Sequence, residues 1–439
     1  MLNKKYSILS LFLFLNILNQ IDRNILASFA PQISEELSLS HTEFGLLTGV
    51  FFAVFYSLAG LFMGIAADRY NRPRLIAAGL FVWSALTAAS GVARSFVEMA
   101  AARMLVSVGE SSLVPAATSL LADKFPPYKR ATVMGVFFTG IPLGLGGSYL
   151  VAGLLGPILG WRGVFLTLGL AGILLTLVML FVKDPVRGAL EAGTKKPEPS
   201  GDEDASPSIP QTCLLLWKTV RNNSTLAYVI MGIIAAHFFY AGQSFSQLWL
   251  VHELGFDAVE IVTIYGAITL VAGTAGSLLG GMLCDWYCNR FAGSRAGFIL
   301  LVSGIFGPFM LIYRFVEPGS FLFYACMTSG FLFITSIYGS IFSLLQDESP
   351  IKMRATVVGA TMLSLTLVAM GLGSVVLGFS SDTMIGLGFD KPLTAVLFGS
   401  DVLALLCVPC FYRVLRLKKG QKADPDNFSK MASQAAPGD

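Results

Sequence analysis

The chain reads as an all-α membrane protein, with twelve transmembrane helices in two pseudo-symmetric six-helix bundles. Three observations lead to that reading. The composition is 54% hydrophobic and only 13% charged over 439 residues, where an ordinary soluble domain carries about 25% charge. The apolar residues come in long runs and not in the alternating pattern of a transmembrane barrel. The two halves also repeat each other's loop motifs.

The apolar runs, spans 1 to 12, lie near 6–30, 42–67, 75–93, 97–121, 131–157, 163–182, 222–250, 258–286, 296–313, 319–346, 355–381 and 392–412. A helix needs about 20 apolar residues to cross the hydrocarbon. The first run follows Lys4 and Lys5 and has the look of a secretory leader. Asp22 and Arg23 follow it at once with no small-x-small cleavage site, so it is read as a retained helix. Between spans 6 and 7 the composition changes. Residues 195–204 gather lysines, prolines, glycine and acids, too polar to bury a core, which marks a linker. The expected organisation is an N-terminal six-helix bundle over 1–182, a cytoplasmic linker over 183–221, a C-terminal six-helix bundle over 222–416 and a cytoplasmic tail over 417–439.

Charge placement gives topology. The side holding both termini collects most of the 30 Lys and Arg, while the opposite side has Arg94, Arg162, Arg314 and Lys391. By the positive-inside rule both termini are cytoplasmic, and the expected location is a bacterial inner membrane. A net charge of +3 does not point to nucleic acid. Six cysteines, Cys213, Cys284, Cys288, Cys326, Cys407 and Cys410, lack metal-ligand spacing and read as small apolar residues. No metal or other cofactor is expected, and composition excludes a soluble enzyme on a single anchor.

The internal repeat is specific. After span 4 stand Asp123 and then Arg130-Ala131-Thr132-Val133-Met134-Gly135. After span 10 stand Asp347 and then Arg354-Ala355-Thr356-Val357-Val358-Gly359. Spans 2 and 8 end in Gly64-x-x-x-Asp68 and Gly281-x-x-x-Asp285. Duplicated six-helix units are how many secondary transporters build two halves around a central site.

The loop after span 2, Gly64-Ile65-Ala66-Ala67-Asp68-Arg69-Tyr70-Asn71-Arg72-Pro73-Arg74, resembles the signature loop of the major facilitator superfamily. Its final base, Arg74, stands one place late because Pro73 intervenes. Three further stretches, Ile21-Asp22-Arg23-Asn24-Ile25-Leu26-Ala27, Val108-Gly109-Glu110-Ser111-Ser112 and Gly140 to Tyr149, together resemble the Spinster family, exporters of lysolipids and sphingoid phosphates. Span 1 is also similar to proton-coupled organic-anion symporters of the same superfamily. The resemblance implies alternating access, a central cavity lined by spans 1 and 4, and a cytoplasmic latch. The latch would comprise Gly64, Asp68, Arg69, Arg72, Arg74, Asp123 and Arg130, with Asp285, Asp347 and Arg354 as the repeat.

Charges inside spans are few, and each is expected to face the interior. Asn16, Asn19, Gln20 and Arg23 form a polar stripe on span 1, with Asp22 about 100° away around the helix. Arg103, Ser107 and Glu110 share one face of span 4. A cluster of Asp22, Arg23, Arg103 and Glu110 is therefore expected, with Glu110 and Asp22 as proton carriers and Arg23 gripping an anion. Asn19 and Arg103 are expected to assist. His237, Tyr240, Ser244 and Gln247 form a milder polar face on span 7, from which His237 and Tyr240 are taken as substrate contacts. Asp401 in span 12 reads as a solitary acid. Glycines in spans 5 and 8 read as helix contacts. The expected partners are a lipid-like or organic anion, protons and the bilayer, and the expected assembly is a monomer. The expected activity is proton-coupled transport of an amphipathic, lipid-like anion, with symport of small organic anions or broad drug export as rivals.

Overall fold

A backbone amide left unpaired in hydrocarbon costs several kcal/mol, so a chain this apolar must close its hydrogen bonds within each segment. The computed structural model, which describes residues 4–185, 209–291, 294–350 and 353–423, is helical throughout, with no strand among the described residues. The helices are α1 (Lys4–Ser28), α2 (Ala30–Glu36), α3 (His41–Thr48), α4 (Val50–Arg69), α5 (Arg72–Ser90), α6 (Phe96–Glu110), α7 (Leu113–Lys124), α8 (Pro127–Phe138), α9 (Gly140–Leu180) and α10 (Ile209–Asn222). There follow α11 (Ser224–Ala236), α12 (Phe238–Ser244), α13 (Ser246–Leu248), a π-helical turn Trp249–Glu253, α14 (Ala258–Arg290), α15 (Arg295–Ile312) and α16 (Phe321–Glu348). The chain ends in α17 (Arg354–Ser364), a π-helical stretch Leu365–Leu372, α18 (Gly373–Gly386), α19 (Pro392–Leu405) and α20 (Cys407–Ala423).

Among the described residues, ten helical stretches are long and apolar enough to cross a membrane. One of them, Val133–Leu180, turns at Gly160 (φ 63°), where only glycine is at ease, and so supplies two crossings. The remaining crossing is α1. The twelve-span reading is met in this way. Helix starts carry the expected caps: Asn71, Ser95, Asn223, Ser294 and Ser320 each accept a backbone N–H three residues on. The final part of the stretch read as linker, Ile209–Asn222, is helical and carries exposed Leu214, Leu215 and Trp217.

By contacts the chain forms two units that do not coincide with its sequence halves. The first comprises Met1–Asp204, Tyr240–Thr274 and Thr366–Ser400; the second comprises Ala205–Phe239, Ala275–Leu365 and Asp401–Asp439.

In the first unit, α9 packs along both α1 and α5. Glycine makes these approaches possible. A Cβ on Gly144 would stand 2.4 Å from Cβ of Gln20, and one on Gly146 would stand 2.7 Å from Leu270 of α14. At the end opposite the start of α1, α3 lies against α18. A Cβ on Gly45 would meet the Ser374 carbonyl at 2.5 Å, and one on Gly378 the His41 carbonyl at 2.2 Å. The first turn of α3 is satisfied from two sources. Ser40 and Glu43 cap each other locally. Asp382, far away in sequence, accepts the amides of His41 (3.0 Å) and Thr42 (2.7 Å) and the Thr42 hydroxyl (2.5 Å). Glu253 similarly accepts the Leu393 and Thr394 amides. His252 meets Glu35 at 3.3 Å. Glu36, in the same region, accepts from Trp161 and Arg162, which hold its carboxyl below the usual range against a smaller opposing effect of burial.

In the second unit, α15 packs on α16 and α11 on α20. Gly276 and Gly280 admit Thr335 and Ser336. One expectation is corrected here: Asp401 is not solitary. Arg314, in the turn that follows α15, is only 8% exposed. Arg314 Nε donates to Asp401 Oδ2 at 2.8 Å, and the guanidinium lies over Tyr313. A charge near a helix end stays buried when an opposite charge on a neighbouring helix meets it.

Removing one member of a buried ion pair strands the other. Arg314→Met and Asp401→Leu should each destabilise by about 3 to 5 kcal/mol, and the double variant by less than either. Melting of detergent-solubilised protein checks this, and additive losses would show that the pair is not coupled. Asp382→Ala strips two amides of their acceptor and should cost about 1 to 2 kcal/mol. The same melting assay should show the drop, and no change would mean that water replaces the carboxylate without loss.

Candidate functional site

An ionised group deep in a span is costly to bury, and its partners reveal how the cost is met. Four charged side chains come from α1 and α6, the helices that the family resemblance places together and that Arg23–Glu110 and Arg103 join. Glu110, at the last position of α6, is fully buried, and its Oε2 accepts from both Nε and Nη2 of Arg23 at 3.3 Å. Arg23 keeps 24% of its side chain accessible. Its guanidinium lies 4.6 Å from the Phe52 ring centre and 4.5 Å from that of Tyr56, two stacked rings on α4. An aromatic face on each of these rings attracts the cation while leaving guanidinium edges available to a ligand.

Arg103 uses its charge differently. It donates to the carbonyl oxygens of Asp22 (3.2 Å) and Arg23 (3.0 Å), and so pins the α1 backbone to α6. Asp22 is fully buried on the other face of α1, toward Trp83 of α5, and neither of its carboxylate oxygens completes a hydrogen bond. The ion pair is Arg23–Glu110, and Asp22 stands apart from it because adjacent residues on a helix point about 100° apart. Asn19, 1% exposed, turns its amide toward Glu110, whose Oε1 also lacks a completed bond. Asn16 donates to the Phe137 carbonyl at 2.7 Å, tying α1 to α8.

The cluster thus holds two acids and two bases with one direct ion pair, one acid of open hydrogen-bonding capacity and one arginine spent on backbone. It can exchange Glu110 for another anion at Arg23, and it can take up a proton on either acid. Phe52, Tyr56 and Trp83 belong to it and were not singled out by sequence, since aromatic residues are common in spans.

The other candidates divide. His237 is buried in the second unit, where its Nδ1 meets the Ile233 carbonyl at 2.7 Å beside Tyr338 and Phe342. Tyr240 is half-buried in the first unit. Among the latch candidates, Arg72 is the best engaged: its side chain, 1% exposed, binds Asp123 at 2.5 Å, Asp184 at 2.8 Å, Ser119 and the Pro185 carbonyl. In the repeat, Arg295 pairs with Asp347. Both pairs join the start of one span to the end of the next within the same half. Gly64 has open space around it, and Arg69, Arg74 and Asp285 are exposed. The side chains of Asp68, Arg130 and Arg354 lie outside the described residues.

A separate cavity of about 300 Å³ lies between α1, α9 and α14, lined by Ser28, Phe29, Gln32, Gly156, Trp161 and Val262 among others, and does not touch the charged cluster.

Comparison with known proteins places this architecture. A hexuronate transporter of Bacillus subtilis is 30% identical over 308 residues, 69% of this chain and 70% of that protein. The sphingosine-1-phosphate transporter SPNS2 of Xenopus tropicalis is 25% identical over 374 residues, 84% of this chain and 72% of that one. A crystal structure of a bacterial homologue of the human lysosomal transporter Spinster, inward-facing and unoccupied, superposes with a TM-score of 0.80 at 23% identity, covering 95% of this chain and 98% of that one. The family model of the Major Facilitator Superfamily matches residues 12–387. This chain, a multi-pass integral membrane transporter similar to the Spinster proteins and not an enzyme, belongs to the Major Facilitator Superfamily.

Proposed function

We propose that this transporter carries an amphipathic, lipid-like anion coupled to protons by alternating access. The observation that carries the reading is the Glu110–Arg23 pair, in which an arginine that keeps 24% of its side chain accessible is held by a fully buried carboxylate. An arriving phosphate or carboxylate competes with Glu110 for the same guanidinium edge, in the bidentate manner arginine favours. A proton on Glu110 removes that competitor. Anion and proton therefore favour each other's binding, which is the thermodynamic requirement for coupling. Asp22 is the second proton site, beside Trp83. Arg103, Asn19, His237 and Tyr240 are assigned supporting roles, with Arg103 fixing the helix that bears Arg23.

The aromatic pair Phe52 and Tyr56 favours a substrate with an apolar part, and the likeness to a sphingosine-1-phosphate transporter points the same way. A second reading, symport of small organic anions, is supported by the 30% identity to a hexuronate transporter. The Arg72–Asp123–Asp184 and Arg295–Asp347 pairs support a cytoplasmic latch involving Gly64, Asp68, Arg69, Arg74, Arg130, Asp285 and Arg354, and a division into bundles over 1–182 and 222–416. The Lys and Arg bias supports a bacterial inner membrane with both termini cytoplasmic. A monomer is the proposed working unit.

Two outcomes test the coupling. In liposomes with a trapped pH dye, lysolipids or small organic acids should drive proton flux in the wild type and none in Glu110→Gln. Full flux in the variant removes Glu110 from the proton path. Anion affinity should rise as pH falls in the wild type, since protonation frees Arg23, and depend much less on pH in Glu110→Gln, where Asp22 is the remaining carboxyl of the cluster. Arg23→Ala should weaken anionic ligands at least tenfold more than neutral ones of the same shape, which corresponds to about 1.4 kcal/mol. Equal losses would make Arg23 a packing residue.

A further inference from the structure

Asp22 lies outside the Arg23–Glu110 pair, and its surroundings are unusual for a carboxyl group. It is fully buried, and neither oxygen completes a hydrogen bond. Two donors beside it are open as well. One is the indole Nε1 of Trp83 on α5, 0% exposed; the other is Nε of Arg103 on α6, 2% exposed. The charged groups acting on this carboxyl are Glu110 and Arg103, both from α6, while α5 offers it the neutral indole. Among the described residues, α7, α8 and α9, which also pack on α1, bring no charged group to bear on it. All these residues belong to the first unit.

Two glycines create the meeting. A Cβ on Gly79 would stand 2.8 Å from the Gly109 carbonyl oxygen, and one on Gly109 would stand 2.8 Å from the Trp83 backbone nitrogen. α5 therefore lies directly on α6, and the indole of Trp83 is brought to the face of α1 that bears Asp22. A buried indole N–H normally finds a partner. It donates and cannot accept. A bond from it therefore favours the ionised carboxylate over the neutral acid, which is the weaker acceptor.

We propose that Trp83 is a positioning residue for Asp22, whose carboxylate accepts the indole N–H when ionised and releases it when protonated. This rests on the reading of Asp22 as a proton site given above and deepens it. Glu110 exchanges with the anion, whereas Asp22 makes and breaks a tie between α1 and α5. The open arrangement described here is then that of protonated Asp22. α5 begins at Arg72, which binds Asp123 and Asp184, so the tie acts on a helix already anchored about 16.5 Å away at its start.

The test uses purified full-length protein, isotope-labelled at the indole nitrogens of its five tryptophans. One indole N–H resonance should move downfield as pH rises, be absent in Trp83→Phe and stay fixed in Asp22→Asn. In parallel, the infrared carbonyl band of protonated Asp22, identified by its loss in Asp22→Asn, gives the protonation midpoint. Trp83→Phe keeps an aromatic ring and loses the donor. It should displace that midpoint to higher pH by about one unit, a tenfold gain in proton affinity. A role in packing alone would leave the midpoint in place. Should Trp83→Phe fail to fold, the resonances of the wild type and of Asp22→Asn decide. An Asp22 that titrates without moving any indole resonance, or a midpoint unchanged in Trp83→Phe, overturns the role of Trp83 and leaves Asp22 as a proton site. An Asp22 that does not titrate overturns its reading as a proton site, and the role of Trp83 with it.

Discussion

Placing an arginine among apolar helices commits the surrounding residues to it. A guanidinium cannot shed its proton at any physiological pH, so each buried arginine must be matched where it lies. Arg23 finds a carboxylate and two aromatic faces; Arg103 finds two backbone carbonyls; Arg72 finds two carboxylates, a hydroxyl and a carbonyl; Arg314 finds Asp401. These solutions differ in how readily they exchange. Backbone carbonyls and multiple carboxylates hold a charge in place. A single carboxylate at 3.3 Å, on a side chain that keeps part of its surface accessible, is the arrangement that a competing anion or a proton can displace. The distinction separates arginines that brace helices from Arg23, the one for which an exchange of partner is proposed.

Glycine supplies the second constraint. Helices in a membrane gain little from hydrophobic association and depend on close contact. The first unit achieves this where α1 and α14 meet α9 and where α3 meets α18, with backbone atoms so near that a single methyl group would collide. Such surfaces hold no long interlocked side chains, which suits the exchange of neighbours that the proposed alternating access requires.

Much of this was legible in the sequence. The apolar runs and the duplicated loops determine the spans, three- and four-residue spacing puts the polar groups of α1 and of α6 each on one face, and the family resemblance implies that those faces share a cavity. What escaped the sequence escaped for physical reasons. The direction of Asp22 was legible from helix geometry, but its surroundings depend on Trp83 of a third helix. Phe52 and Tyr56 sit in a run where every residue is apolar or aromatic, so no contrast marks them. Arg314 falls just beyond a helix end, where a count of loop charges and a buried ion pair read the same.

The carboxylate of Asp382 has a consequence for motion. The first turn of α3 takes half of its amide acceptors from its own chain neighbourhood and half from α18. Any rearrangement that separates α3 from α18 therefore unwinds the electrical closure of that turn, exposing two amide dipoles to whatever solvent enters. Parting these helices and fraying the helix tip become one event, with water as the replacement acceptor. The energy involved, of order one hydrogen-bonded cap, is small enough for thermal motion to supply.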